Sequence, residues 1–262
     1  MKSVILCEGA DDLWVIAYYL NKKHGWDIVN PDGLSGNVRW SEFSTYGRLD
    51  KKKGTDRIFM QKDDDLLVIE AVGGKDSFKK PAKAYFNIFP EQNPLHAADN
   101  VIIVTDRDND SIEDRLAEIE KWLDGNWKTE YVTFENNVKC DVLRKIDGVD
   151  VRIGILPLII PFNEEGAIET ILMNGIAELN DEDSYIVNEA RKYIDSIRDS
   201  GKVTTYLNKE RLIMKAKYSA MIAVKNPSHS TRAFREMMMS CKWEDSEYID
   251  EHFAVIADTI SQ

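Results

Sequence analysis

Two segments of this sequence combine an apolar run with acidic residues at or just after its end. Glu8 follows the apolar run at residues 2–7, and Asp106 and Asp108 follow the run at residues 101–104. If the two runs are neighbouring parallel strands, these carboxylates lie beyond the carboxyl ends of the sheet, where such folds bind ligands. Crowded carboxylates repel one another, so this pattern predicts a cation between them.

Magnesium is the cation that this set of residues favours. Mg²⁺ takes oxygen ligands octahedrally, keeps several waters and accepts carboxylates together with substrate phosphates. A metal bound in this way suits phosphoryl chemistry, because it neutralises developing charge and activates a water molecule. A single acidic residue after a strand is ordinarily a solvated turn residue, so the prediction depends on the two sites occurring together.

The elements that must position these residues follow from apolar periodicity. The run at residues 2–7 predicts a buried strand, and the helical spacing at residues 11–23 predicts the helix after it, which together open an α/β fold. The pattern predicts further helices near residues 78–86, from residue 112 with Ser111 as N-cap, and near residue 169. Further strands are predicted at residues 57–61, 66–72, 101–104, 131–134 and 151–160.

The same pattern predicts the domain organisation. Residues 1–175 are predicted to form an α/β catalytic domain with a parallel sheet flanked by helices. Within it, residues 31–65 form a β-rich insertion, since glycines and aromatic residues are interspersed there. Residues 176–262 are predicted to be a helical C-terminal extension. This boundary is a change in secondary-structure type rather than a flexible linker, so we expect the extension to pack on the sheet.

Composition excludes several classes of protein. The 262 residues carry 34 Lys and Arg against 46 Asp and Glu, a net charge of −12, so bulk electrostatics do not favour coating nucleic acid. No apolar run approaches the roughly 20 residues of a membrane span, and the N-terminus does not resemble a signal peptide. The three cysteines lack zinc-type spacing, which indicates a reduced, cytoplasmic setting. The four histidines form no ligand pair and are predicted to be surface or capping residues.

Three short segments resemble elements of Toprim domains, which occur in bacterial primases, topoisomerases and nucleases. Residues 7–12, Cys-Glu-Gly-Ala-Asp-Asp, resemble the EGxxD motif that follows the first strand. Residues 104–108, Val-Thr-Asp-Arg-Asp, resemble the DxD motif. Residues 71–76, Ala-Val-Gly-Gly-Lys-Asp, resemble the GGKD element of small stand-alone Toprim proteins and of the 5S rRNA maturase.

Two later elements resemble the overcoming-lysogenization-defect (OLD) nucleases of this family. Residues 166–169, Gly-Ala-Ile-Glu, resemble their G-x-[IL]-E element, and Lys215-Ala216 resembles their KA element. The resemblance implies a Mg²⁺- or Mn²⁺-dependent nuclease that hydrolyses phosphodiester bonds in DNA or RNA. OLD-like nucleases are commonly coupled to an ABC-type ATPase, often in phage defence. Since this chain has no ATPase motif, the resemblance implies a separate ATPase partner.

The resemblance also implies a role for each matching acidic residue. Glu8 would be a metal ligand or the general base, and Asp106 and Asp108 would be metal ligands. Asp12 and Glu169 would complete a second metal position. The alternatives are that Asp12 is an N-terminal helix residue favoured by the helix dipole and that Glu169 is an ordinary first-turn residue.

Basic residues and glycines supply the remaining candidates. By resemblance, Lys215 would stabilise charge on the scissile phosphate, with Lys217 as its rival; either could instead be a solvated helix lysine. Gly73 and Gly74 predict a turn with positive φ, or a place where backbone amides and Lys75 approach a phosphate. The run Lys51, Lys52 and Lys53 predicts a solvated loop, or a nucleic-acid contact that uses charge together with the aromatic residues before it.

Two alternative functions stay open. A DxD after an apolar strand also begins haloacid-dehalogenase-type phosphatases, in which Asp106 would be the nucleophile. That strand normally comes first in the chain, and Asp110 stands where Thr or Val is usual. The other alternative is a degenerate, non-catalytic Toprim module that binds nucleic acid or a partner protein.

Overall fold

The computed structural model describes residues 1–29, 57–86, 98–123, 133–146, 149–227 and 241–261. Lys51, Lys52 and Lys53 and most of the predicted insertion therefore lie outside the described residues. The chain divides into two compact units by its internal contacts. The first unit comprises Met1–Thr105, Asp110–Ile159 and Ala254–Gln262, and the second comprises Asp106–Asn109 and Ile160–Phe253.

The first unit is built on a seven-stranded sheet with the spatial order β2-β3-β4-β1-β5-β7-β6. The central strand β1 pairs in parallel with both β4 and β5, whereas β3 and β6 are antiparallel to their neighbours. The predicted α/β fold class is confirmed. The strands are β1 Lys2–Cys7, β2 Asp27–Val29, β3 Arg57–Lys62, β4 Asp65–Ala71, β5 Asn100–Asp106, β6 Cys140–Ile146 and β7 Val149–Ile160.

The central strands are buried on both faces. Val4 and Leu6 pack into one apolar cluster with Phe78 and Ile119, while Ile5 points to the other face because side chains alternate along a strand. Near-continuous apolar runs are typical of parallel strands covered on both sides. The helices of this unit are α1 Ala10–His24, α2 Lys79–Phe86 and α3 Ile112–Leu123.

Most predicted elements of this unit are confirmed, and two strands, β2 and β6, were missed. The segments predicted at residues 57–61 and 66–72 form the antiparallel pair β3 and β4. The predicted strand at 131–134 lies partly outside the described residues, and Phe134 is not in a strand. The missed strand β6 is an edge strand with an irregular apolar pattern, in which Leu143 is half-exposed. Its extended conformation is stabilised by pairing with β7, which periodicity does not reveal.

The second unit is helical, as predicted for the C-terminal region. It contains α4 Ile168–Leu179, α5 Asp181–Asp199, α6 Glu210–Lys225 and the first half of α7 Glu247–Ile260. Helix α5 packs against both α4 and α6. The unit starts at Ile160 rather than at residue 176, and it includes the short loop after β5. Among the helices described, none is long and apolar enough to cross a membrane.

Candidate functional site

Glu8 stands at the carboxyl end of β1 and is held by the neighbouring strand. The Thr105 hydroxyl donates a hydrogen bond of 2.7 Å to Glu8 Oε1, and Thr105 is only 1% exposed. The parallel register places Cys7 opposite Val104, so the ends of β1 and β5 lie at the same edge of the sheet. Thr105 was not predicted as a site residue; its signal was its place between a buried strand and Asp106.

The two glycines after β4 make a turn around the backbone of Glu8. Gly73 and Gly74 have φ values of +87° and +108°, a region that glycine adopts without steric cost. Their N–H groups donate to the Glu8 carbonyl oxygen at 3.0 and 2.8 Å. The turn interpretation therefore agrees with the structure. A phosphate would have to compete with Glu8 for these amides, and the predicted nucleic-acid contact stays a prediction.

Asp12 lies in the first turn of α1 and supports the start of that helix. Its Oδ2 accepts a hydrogen bond of 2.9 Å from the Gly9 N–H, and the residue is buried. A carboxylate near a helix N-terminus is also favoured by the helix dipole. This arrangement matches the alternative of an N-terminal helix residue. The ligand role of Asp12 stays a prediction.

Lys75 belongs to a compact group of charges at the start of α3. Its Nζ lies 2.7 Å from Asp110 Oδ2 and 3.6 Å from Glu118 Oε2. The fully buried Arg115 contacts the same two carboxylates at 3.3 and 3.1 Å. The hydrogen bond from Lys75 is the main cause that lowers the pKa of the Asp110 carboxyl. The charge of Lys75 is thus matched within the protein, which weakens its attraction for a phosphate.

In the second unit, the DxD loop is fastened to the segment before α4. Asp106 Oδ1 accepts a hydrogen bond of 3.0 Å from the N–H of Ile168, the first residue of α4. Asp108 and Gly166 exchange two backbone hydrogen bonds of 2.7 and 2.9 Å. Gly166 has φ +146°, and a Cβ there would lie 2.2 Å from Thr170 Oγ1. The positive φ and the nearby Thr170 side chain both favour glycine at this position.

Glu169 and Lys215 form an ion pair across 46 positions of the sequence. Lys215 Nζ lies 3.0 Å from Glu169 Oε1, and Glu169 is 6% exposed whereas the Lys215 side chain is 59% exposed. A buried carboxylate needs a partner of this kind to offset its lost hydration. The rival Lys217 instead pairs with Asp195 at 2.9 Å. The structure therefore brings Lys215, and not Lys217, to Glu169.

The carboxylates are of the right chemical type for magnesium, but the described residues contain no complete set of metal ligands. Glu8 and Asp12 belong to the first unit, and Asp106, Asp108 and Glu169 belong to the second. In the described part of the chain, no three His, Cys, Asp or Glu side chains are grouped closely enough to hold a metal ion. Their oxygens suit Mg²⁺. The metal ligand set stays a prediction.

One histidine differs from its prediction. His252 on α7 is only 1% exposed, so the expectation of a surface residue is wrong for it. Its ring stacks on Phe162, with 4.4 Å between ring centroids, and its Nε2 accepts a hydrogen bond of 3.3 Å from the Phe162 N–H. The sequence did carry a weak signal of burial. His252 lies next to Phe253 and one helical turn from Ile249 and Ile256, on the apolar side of the helix.

Comparisons with known proteins identify a family and one similar structure. Residues 2–257 match the family described as "Protein of unknown function (DUF3226)", and the chain belongs to this family. The crystal structure of a hypothetical protein from Pyrococcus horikoshii OT3 is similar at 15% identity and a TM-score of 0.49, covering 100% of this chain and 99% of that one. No curated protein matches the sequence.

Proposed function

We propose that this chain is a divalent-cation-dependent nuclease of the Toprim type that hydrolyses phosphodiester bonds in DNA or RNA. One observation carries the proposal. Glu169 and Lys215 were selected by two separate motifs, and their side chains form an ion pair. The residue before Glu169, Ile168, donates its N–H to Asp106 of a third motif. Three motif residues from distant parts of the sequence thus belong to one hydrogen-bonded arrangement.

The proposal gives each of these residues a chemical task. We assign Glu8, Asp106 and Asp108 as oxygen ligands of Mg²⁺ or Mn²⁺, which would neutralise charge on the substrate phosphate and activate a water. Lys215 has a half-exposed ammonium group, and its ion pair with Glu169 restricts where that group lies. A cation fixed in this way can stabilise negative charge that develops on a phosphate oxygen.

The proposed partner is a separate ABC-type ATPase, and the proposed setting is cytoplasmic phage defence. Only the resemblance to OLD-like nucleases supports this part. If it is right, the chain co-purifies with an ATPase, and ATP changes its cleavage activity. If no ATPase encoded next to this chain changes its cleavage activity, the proposed partner is refuted.

A non-catalytic Toprim module is the second candidate. The observation that favours it is that the described carboxylates form no group of three, while Asp12 caps a helix. A module of this kind would bind a nucleic acid or a protein without turnover. It predicts that Glu8→Ala leaves the cellular function unchanged. The phosphatase alternative predicts instead that Asp106 is trapped by beryllofluoride.

Calorimetric titration with Mn²⁺ and Mg²⁺ tests the proposal, with and without a nuclease-resistant nucleic acid. The variant is Asp106→Asn/Asp108→Asn, and the matched control is Asp110→Asn. Asp110 lies two residues further on in the same acidic run but pairs with Lys75 and Arg115. We expect the double variant to lose metal binding and the control to keep it, and a screen of DNA and RNA cleavage then follows. Negligible binding by the wild type under both conditions would favour the non-catalytic module.

A further inference from the structure

The hydrogen bonds of His252 define its protonation state. Its Nδ1 lies 2.8 Å from the Tyr248 carbonyl oxygen, and its Nε2 lies 3.3 Å from the Phe162 backbone nitrogen. A carbonyl oxygen only accepts and a backbone N–H only donates. Nδ1 must therefore carry the hydrogen, and Nε2 must be bare. This geometry is satisfied only by a neutral imidazole.

The surroundings of His252 also act on its charge. Burial is the main influence and lowers the pKa of His252, while its bond to the Tyr248 carbonyl and the carboxylates of Glu251 and Glu164 act in the opposite direction. Glu251 lies beside it on α7. Glu164 is on the segment before α4, where it accepts hydrogen bonds from the Tyr248 hydroxyl at 2.8 Å and from Asn174 at 2.6 Å. The net effect favours the neutral ring.

Phe162 connects His252 to the DxD loop. The Phe162 N–H donates to His252, and the Phe162 carbonyl accepts a hydrogen bond of 3.3 Å from Arg107 Nη1. Arg107 is the residue between Asp106 and Asp108, and its own N–H donates to the Ile160 carbonyl at 2.7 Å. The segment between β7 and α4 is thus bonded to the DxD loop on one side and to His252 on the other.

We propose that His252 is a pH-sensitive latch on the segment that holds the DxD loop. When neutral, it accepts the Phe162 N–H and keeps residues 161–166 in place. A proton on Nε2 would bring two N–H groups face to face, so the bond to Phe162 breaks and the segment is released. Arg107 and Asp108 then lose part of their support. The effect on cleavage rests on the proposed function, whereas the latch itself does not.

Nuclear magnetic resonance of the whole chain tests the latch without any cleavage assay. We expect the ring nitrogens of His252 to show the Nδ1–H tautomer at neutral pH. A histidine whose pKa is lowered in the fold contributes stability above its unfolded pKa near 6.5, and this contribution is lost as the pH falls. The opening constant of the Phe162 amide is the inverse of its hydrogen-exchange protection factor. As the pH falls below about 6.5, this constant should therefore rise about tenfold per pH unit, and the protection should fall, until the folded pKa is reached.

Two substitutions serve as controls. His252→Gln offers an amide that can accept and donate but does not titrate, so the protection of Phe162 should become independent of pH. His24→Gln removes a histidine from α1 in the first unit and should leave the pH dependence as in the wild type. An Nε2–H tautomer, or protection that is flat with pH in the wild type, would overturn the latch. Normal latch behaviour in a chain that binds no metal would instead separate this inference from the nuclease proposal.

Discussion

Replacing Lys215 with methionine tests the ion pair that supports the proposed site. Lys215→Met keeps the length of the side chain and removes its charge, which leaves the Glu169 carboxylate buried without its cation. Breaking a fully buried pair costs about 3–5 kcal/mol, and an exposed pair contributes about 0–1 kcal/mol. Since the Lys215 side chain is 59% exposed, water reaches the pair. We expect a loss of about 1–2 kcal/mol in the free energy of unfolding.

The effect of the two partners should be unequal. Glu169→Gln leaves the ammonium of Lys215 hydrated, so its cost should stay below about 1 kcal/mol. The double variant should recover part of the loss, because the unpaired buried carboxylate is then gone. With an unfolding entropy of about 2.1 cal/mol/K per residue, the Lys215→Met loss corresponds to a fall in Tm of about 2–4 °C.

Thermal unfolding of the four proteins in this cycle, followed by circular dichroism, measures the coupling. Cleavage assays on the same proteins test function. If Lys215 stabilises charge on the phosphate, Lys215→Met should lower kcat about 10²- to 10³-fold, the loss typical of one electrostatic donor. The matched control is Lys217→Met, since Lys217 lies two positions after Lys215 on the same helix. This substitution breaks the pair with Asp195 and should leave kcat nearly unchanged. Equal losses for the two lysines, or additive stabilities in the cycle, would refute the reasoning.

Three other substitutions test other parts of the arrangement. Thr105→Val removes the hydroxyl that donates to Glu8 and should lower the free energy of unfolding by about 1–2 kcal/mol. Thr105→Ser keeps the hydroxyl and should retain most of the stability. Equal urea midpoints for the two variants would contradict the role of the hydroxyl. Gly166→Ala combines a positive φ with a Cβ placed against a neighbouring side chain and should cost more than about 2 kcal/mol in urea unfolding. Its control is Gly201→Ala, which has φ +68° and open space and should cost about 1 kcal/mol; similar costs would mean that the segment before α4 relaxes. Replacing Lys51, Lys52 and Lys53 with glutamate should weaken nucleic-acid binding in a fluorescence titration while calorimetric metal binding is unchanged, and an unaltered nucleic-acid affinity would place that contact elsewhere.

The strands and helices next to the candidate site could be predicted from the sequence because their causes are local. Residues 4–7 and 101–104 are apolar at every position, as strands buried on both faces require. The helical spacing at residues 11–23 and the Ser111 N-cap, whose hydroxyl accepts from the Asp114 N–H, depend on residues only a few positions apart. Motif resemblance likewise depends on short stretches, so it selected Glu8, Asp106 and Glu169 without knowledge of the fold.

Interactions between distant residues needed the tertiary structure. Strand β6 was missed because its pairing with β7 stabilises it, rather than its own pattern. The burial of His252 depends on Phe162, 90 positions away. The Gly73 and Gly74 amides could serve a ligand or the protein, and only the position of the Glu8 carbonyl shows that they bond within the protein.

The clearest division between the two kinds of information is at Lys215 and Lys217. Both lysines carry the same charge and lie on the same helix. The sequence therefore determined that a lysine stands in this region, but not which of the two meets Glu169. Residues two positions apart on a helix point in different directions. Which one meets the buried Glu169 is therefore decided by how α6 packs against α4 and α5, and that packing directs Lys215 to Glu169 and Lys217 to Asp195.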